Sequence, residues 1–271
     1  MERRQFVTKM ISAAGATVAL RIAALSGHIK HQPMKNSVMH RANTRGVADL
    51  GWLKSYHTFS FSHYYNPDRM NFGALRVLND DTVAPGMGFG KHPHNNMEII
   101  SIPLQGDLQH QDSMGNETVI RKGDIQIMSA GTGVEHSEYN HNQDQEVKFL
   151  QIWIVPNQRD VKPRYDQITL NPFDREGKFQ QILSPNAEDE GVWIHQDAWF
   201  HLGAFRKGDK ISYELKKTGN GIYAFILAGS VAINKEQLER RDGYGLWDVR
   251  KMDIEATSDA EVLLIEVPMN L

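Results

Sequence analysis

The feature that most constrains the fold is a series of short apolar segments that fills the chain from about residue 40 onward. The segments are four to eight residues long, and turn-forming residues such as Asn116 and Gly123 separate them. Examples are 74–78, 98–104, 107–110, 118–121, 124–128 and 148–155. Segments of this length between turn residues are typical of strands, and no long segment of helical period occurs in this part of the chain. The sequence therefore predicts an all-β protein.

The second half of the chain repeats the scheme of the first half. The segment 104–108 (LQGDL) has a counterpart in 227–231 (LAGSV), and a second glycine follows the first after 17 residues in one half and after 14 in the other. With 271 residues, the chain is long enough for two copies of one β unit. We expect one copy at residues 40–160 and the other at 165–271, with the boundary near 156–165.

Residues 1–35 differ in character and read as an export signal with a linker. Arg3 and Arg4 precede Phe6 and a mild apolar run at 10–25, which resembles a twin-arginine signal. Residues 24–26 (ALS) fit a cleavage site. This predicts a helical segment and a periplasmic protein; an ordinary amphipathic helix on a cytoplasmic protein is the alternative, favoured by Arg21 inside the run. The run is too short to predict a stable membrane anchor.

Composition excludes several functions and directs attention to histidine. The 30 basic and 33 acidic residues give a net charge of −3, which argues against a nucleic-acid partner. The chain has no cysteine, so disulfides, thiolate metal sites, iron–sulfur clusters and a cysteine nucleophile are excluded. The 12 histidines are therefore the natural metal ligands.

Two short motifs predict a metal site. Residues i and i+2 of a strand point to the same face, so His92 and His94 project together, and so do His136 and Glu138. Two strands that each offer two ligands can surround one divalent ion and leave coordination positions open. Three imidazoles and a carboxylate suit Fe(II), Mn, Ni, Cu or Zn better than Mg or Ca. Glu98 could be a further ligand, a hydrogen-bond partner of a ligand or an ordinary strand carboxylate.

The longer sequence is similar to bacterial pirins across about residues 40–271. The stretches 86–106 and 123–140 resemble the paired motifs of the cupin superfamily. More specific to pirins are 51–61 (GWLKSYHTFSF), 75–81 (LRVLNDD), 110–116 (HQDSMGN) and 128–133 (MSAGTG). Glu98 follows His94 one residue earlier than in many cupins, and Ser129 replaces a common proline. Pirins share both departures.

The resemblance implies a fold, a metal and an activity. Pirins are bicupins, in which two jelly-roll barrels share a common origin and the N-terminal barrel binds one metal, usually iron. The implied ligands are His92, His94, His136 and Glu138, the set that the spacing also selects, with Glu138 favoured over Glu98. Some pirins cleave quercetin with dioxygen and release carbon monoxide, whereas eukaryotic pirins are nuclear cofactors of transcription.

The second half lacks ligands at the matching glycine offsets. Those offsets place Leu215, Lys217 and Ala256 where the first half has His92, His94 and His136. His195 and His201 fall outside the offsets, and we interpret them as structural or surface residues. We expect the second barrel to have a structural role, in which it packs against the first barrel, closes it or positions it. In the first half, we expect His110 and His141 to lie on the surface, and His57 and His63 to flank a buried aromatic run.

Three functions fit the sequence. The first is a dioxygenase that takes an aromatic enol such as a flavonol together with dioxygen, with Glu138 also acting as the general base. The second is a metal-bearing regulatory module with a protein partner. The third is a metal-binding scaffold without turnover, which metal ligands alone do not distinguish from an enzyme.

Overall fold

The computed structural model describes residues 36–270. The predicted export signal at residues 1–35 lies outside the described residues. Within the described range, helix is restricted to two short 3-10 turns, Ala42–Thr44 and Pro172–Arg175. None of the helices in this range has the length and apolar character needed to cross a membrane.

The described chain is built almost entirely of strands, as the sequence predicts. All six predicted segments are found as strands, with ends that differ by at most a few residues. The strands are β1 Ser37–His40, β2 Gly46–Asp49, β3 Leu53–His57, β4 Leu75–Val83, β5 Gly88–His94, β6 Glu98–Gln105, β7 Asp107–Asp112, β8 Glu117–Arg121, β9 Asp124–Ser129, β10 Val134–Asn140, β11 Val147–Ile154, β12 Arg164–Thr169, β13 Phe179–Ser184, β14 Val192–Trp193, β15 Trp199–Phe205, β16 Lys210–Glu214, β17 Asn220–Ala228, β18 Ser230–Ile233, β19 Glu236–Glu239, β20 Gly243–Trp247, β21 Lys251–Ala256 and β22 Ala260–Pro268.

The sheet order shows the predicted duplication. The first half forms a seven-stranded sheet in the order β12-β9-β6-β11-β4-β3-β2 and a four-stranded sheet in the order β5-β10-β7-β8. The second half repeats both, as β1-β20-β17-β22-β15-β13-β14 and β16-β21-β18-β19. Each half is thus a two-sheet barrel, here called the first barrel and the second barrel. The two copies differ at one edge, where β13 and β14 run parallel but β2 and β3 run antiparallel.

Each half of the sequence begins with a strand that pairs in the barrel of the other half. β1 precedes the strands of the first barrel but pairs with β20 of the second. β12 precedes the strands of the second barrel but pairs with β9 of the first. Strand pairing therefore assigns β1 to the second barrel and β12 to the first, while the domain limits at 160 and 165 stay predictions.

A shared apolar core joins the two seven-stranded sheets. Side chains from β6, β9 and β11, such as Ile100, Ile127 and Ile152, pack in one cluster with Phe200 and Leu263 of the second barrel. The other face of each large sheet lines the interior of its own barrel. Because the large sheets lie back to back, the interior of each barrel can differ in chemistry without altering the joint between them.

Equivalent hairpins show why the same glycine occurs in both halves. Gly106 joins β6 to β7 and Gly229 joins β17 to β18, both at a positive φ close to 70°. A Cβ at Gly106 would lie 2.8 Å from the carbonyl oxygen of Glu146, and one at Gly229 would meet that of Asp259 still more closely. Only glycine meets both the dihedral and the steric requirement.

Candidate metal centre

Three of the four predicted ligands converge at the rim of the first barrel. His92 and His94 lie on β5 and His136 lies on the adjacent β10, directly opposite His92. One ligand nitrogen from each of the three lies within 4.8 Å of the others. His136 is buried, whereas His92 and His94 are partly exposed, so the cluster can be reached from solvent.

The hydrogen bonds leave these imidazoles free to bind a metal. Nδ1 of His92 lies 2.8 Å from the carbonyl oxygen of Gly90, an acceptor, so Nδ1 carries the proton and Nε2 keeps its lone pair. Nε2 of His94 and both ring nitrogens of His136 are buried without a hydrogen-bond partner among the described groups. Burial, followed by the neighbouring histidines, lowers the pKa of His94 and of His136 to about 3. Neutral imidazoles with free lone pairs are the form that a metal requires.

The donor set fits a transition metal. Metal–imidazole bonds of about 2.0–2.1 Å place two ligand nitrogens on one ion no more than about 4.2 Å apart. The observed spacing is close to that limit, and nitrogen donors suit first-row transition metals better than Mg or Ca. Buried imidazole nitrogens that lack partners are costly, so a bound ion would give His94 and His136 an interaction that they otherwise lack.

Glu138 lies on the correct face but does not join the cluster in this structure. It is buried on β10 two residues after His136, and a register shift relative to β5 falls between the two. Its carboxylate accepts hydrogen bonds from Ser101 Oγ at 3.1 Å and from Gln151 Nε2 at 2.8 Å. Among the residues that the structure describes, the group of mutually close ligand atoms contains the three histidines only. Its role as fourth ligand stays a prediction.

Glu98 has a different environment, which favours one of the three interpretations. Its buried carboxylate accepts a hydrogen bond from Ser129 Oγ at 2.8 Å and one from the backbone N–H of His195 in the second barrel at 3.3 Å. Burial raises its pKa, and the two hydrogen bonds oppose that shift. Glu98 is outside the histidine cluster and links the two barrels, so we interpret it as a structural carboxylate.

His110 is a functional candidate that the sequence patterns did not indicate. His110 was expected on the surface, and the structure contradicts this: its side chain on β7 is fully buried in the first barrel. Its ring centroid lies 5.3 Å from that of His136 and 4.8 Å from that of Tyr165. The alternation of Leu108 and His110 after Gly106 was the available signal, because it puts both on one face of β7. His141, in contrast, is exposed as expected.

An apolar wall flanks the histidines. The Trp153 ring on β11 meets the His94 ring edge to face, with centroids 4.9 Å apart, and contacts Phe61 in the same way at 5.3 Å. A small cluster of apolar side chains continues this wall around Trp153: Met97, Ile99, Met128, Ala130 and Val134. A flat aromatic ligand beside the cluster would therefore meet the partly exposed side chains of this wall, those of Phe61, Met97 and Trp153.

Strand register gives a better alignment of the second barrel than the glycine offsets did. Counted from Gly106 and Gly229, His136 corresponds to Met252 rather than to Ala256. Because β16 pairs with β21 as β5 pairs with β10, His92 corresponds to Tyr213 and His94 to Leu215. The offsets therefore misplaced all three positions, while the conclusion that the second barrel lacks these ligands is unchanged. His201, interpreted as structural, is buried beside Tyr213.

Comparison with known proteins places this geometry in a family. Residues 37–154 match the family model described as Pirin, and residues 181–267 match the model described as Quercetinase C-terminal cupin domain. A protein of Escherichia coli (strain K12) named quercetin 2,3-dioxygenase is 43% identical over 230 residues, which cover 85% of this chain and 98% of that protein. A pirin-like protein of Caulobacter vibrioides is 41% identical over 222 residues, covering 82% and 95%.

Solved structures show the same architecture. The bacterial pirin YhhW from Escherichia coli, in complex with nickel(II), superimposes with a TM-score of 0.81 at 41% sequence identity, covering 86% of this chain and 99% of that one. A quercetin 2,3-dioxygenase from Acinetobacter baumannii, with 20% identity and a TM-score of 0.70 over 86% of this chain and 79% of that one, shares the fold. With its duplicated cupin barrels and this degree of identity to bacterial relatives, the chain belongs to the pirin family.

Proposed function

We propose that this protein is a metal-dependent dioxygenase that opens flavonols of the quercetin type with dioxygen. The observation that carries the proposal is the convergence of His92, His94 and His136 on one point at the barrel rim. The proposed site is mononuclear, with Glu138 as the fourth ligand. Relatives named quercetin 2,3-dioxygenase support the reaction, and a nickel(II) complex of a related pirin supports a single transition metal. We propose Fe(II) as the working ion, with Mn, Ni, Cu and Zn as the alternatives.

The protein's own groups have distinct parts in this reaction. A bound transition metal supplies Lewis acidity toward an enol oxygen and a binding position for dioxygen. Glu138 accepts the proton of the substrate's hydroxyl group as general base. Ser101 and Gln151 donate to the Glu138 carboxylate and so keep it in place. The partly exposed side chains of Phe61, Met97 and Trp153 receive the flat rings of the substrate.

The test is turnover by protein of defined metal content. The full chain, purified without a chelating tag and loaded with Fe(II), should consume dioxygen and quercetin in equal amounts and release carbon monoxide. His92→Ala should abolish all three signals, and His141→Ala, which changes an exposed histidine outside the cluster, should leave them intact. If the iron-loaded wild type leaves quercetin and dioxygen unchanged, the substrate assignment is wrong.

We also propose that the protein is exported by the twin-arginine route, on the strength of Arg3, Arg4 and the apolar run that follows them. Cell fractionation of the full chain tests this. The protein should be found in the periplasm, and the double change Arg3→Lys, Arg4→Lys should keep it in the cytoplasm. A wild-type protein retained in the cytoplasm would contradict the proposal.

A further inference from the structure

His110 is a buried polar residue that the proposed reaction has not yet used. It is fully buried, and neither Nδ1 nor Nε2 has a hydrogen-bond partner among the described groups. A neutral imidazole has one donor and one acceptor, and leaving either unsatisfied in a protein interior is destabilising. In either protonation state the ring has at least one N–H to donate.

Of the two carboxylates near His110, Glu138 has more capacity left to accept that N–H. The carboxylates that act on its charge are those of Glu138 and Asp112. Asp112 is occupied by its own turn, where it accepts bonds from two backbone N–H groups and from the Asn116 side chain. Each Glu138 oxygen accepts a single hydrogen bond, from Ser101 or from Gln151, and a carboxylate oxygen can accept two.

The strand pairing brings His110 and Glu138 side by side. They are directly opposite each other on β7 and β10, and opposite residues on one face of an antiparallel pair have Cβ atoms about 4.5–5.5 Å apart. Tyr165 packs against the His110 ring at 32° to its plane, and hydrogen bonds with Thr118 and Gln167 hold the Tyr165 hydroxyl. The imidazole is therefore kept in one orientation by packing and not by polar contacts of its own.

We propose that His110 is the positioning residue of Glu138. In the metal-bound protein, its imidazole N–H would donate to the Glu138 carboxylate and so help to hold one carboxylate oxygen toward the three histidines. This inference rests on the proposed function, since it takes Glu138 as the fourth ligand. Groups that orient metal ligands in this way typically change metal affinity about 10–100-fold when they are removed.

The test measures metal affinity and not turnover. Co(II) is titrated into metal-free protein, and both affinity and visible absorption are recorded for the wild type and two variants. His110→Ile copies the second barrel, where the register position of His110 holds Ile233. We expect it to bind Co(II) about 10-fold or more weakly with an altered spectrum. His110→Gln, which keeps an N–H donor, should recover part of the loss.

A matched control separates this effect from general destabilisation. His201→Leu removes a second buried histidine whose Nδ1 also lacks a partner, but it does so in the barrel without the cluster. It should leave Co(II) affinity unchanged. Thermal melts of all metal-free proteins show whether each variant folds.

A double-mutant cycle tests whether His110 acts through Glu138. If it does, His110→Ile should weaken Co(II) binding little further in a Glu138→Gln background. Independent losses that multiply, or a His110→Ile protein with wild-type affinity and spectrum, would overturn the proposal. Failure of the wild type to turn over quercetin would instead contradict the proposed function and leave these titrations interpretable.

Discussion

The two barrels share a strand order, but their interiors differ in polarity. Facing into the first barrel are Asp81, His110, His136, Glu138 and Gln151, all largely or fully buried. At register positions of the second barrel equivalent to those of His110, His136 and Glu138 stand Ile233, Met252 and Ile254, which belong to an apolar cluster. One β framework thus supports either a polar interior with clustered histidines or a largely hydrophobic one.

The difference between the barrels has an energetic cost on the reactive side. Buried polar groups without partners are destabilising, and several of them, including His110 and His136, lie in the first barrel. Burial raises the pKa of Asp81 to about 7. The second barrel, with Val262 and Leu264 in its interior, gains hydrophobic stabilisation in the equivalent space. We infer that the second barrel stabilises the joint on which the first depends.

The largest expected effect comes from replacing a histidine of the metal cluster with the residue at the equivalent position of the second barrel. His136→Met reproduces Met252 and removes one of the three nitrogens. Metal affinity should fall by more than about 100-fold, since even indirect changes around a metal cost about 10–100-fold, and quercetin turnover should disappear. Metal content per chain and dioxygen uptake measure the two effects. Met252→Leu is the control and should retain both, and a metal-replete His136→Met would refute the site.

Glu138→Gln gives the next largest effect. Loss of a general base typically lowers the rate about 100- to 10,000-fold, and we expect kcat with quercetin to fall within this range even at saturating metal. The three histidines should still hold one metal per chain, more weakly than in the wild type. Steady-state kinetics with metal analysis measure this. A variant with unchanged kcat would show that Glu138 is not the base.

Glu266→Leu in the second barrel should lower the stability of the protein without changing the metal site. Glu266 is fully buried and accepts hydrogen bonds from Tyr213, from Asn220 and from the backbone N–H groups of Lys216 and Lys217. Glu266→Leu leaves these donors without an acceptor and should lower the free energy of unfolding by about 3 kcal/mol. Urea denaturation measures the loss. Co(II) affinity of the folded variant should equal that of the wild type, and a large change there would show that the barrels are coupled.

The smallest effect is a pH dependence at His201. Burial, with a contribution from Lys216, lowers its pKa to about 3. Since the pKa in the unfolded chain is about 6.5, this histidine contributes its full stability above that value and loses it as the pH falls toward 3. Relative to wild type, metal-free His201→Leu should gain about 2 kcal/mol between pH 7 and pH 5. Denaturation at both values measures this, and equal losses would show that His201 is accessible to protons.

Local pattern was enough to predict the strands and the three histidines. The segment predicted at 124–128 is found as β9, and His92 and His94 share a face because alternation in a strand is a local property. The burial of His110 was missed, since the sheets that cover it come from segments far apart in sequence. The glycine offsets gave wrong equivalent positions, such as Ala256, because they count residues through loops whose lengths differ between the two halves. Strand pairing identifies equivalent positions whatever the loop length. The partner of β1, more than 200 residues later, has no local signal at all.

Because β1 pairs in the second barrel and β12 pairs in the first, a cut between the two halves of the sequence disrupts both barrels. A chain divided between β11 and β12 would give one fragment lacking β12, with one edge of β9 unpaired, and another lacking β1, with one edge of β20 unpaired. Such open edges invite association with other chains. A fragment that keeps the first barrel must therefore extend through β12, and without the second barrel it would expose the apolar face that the two large sheets share.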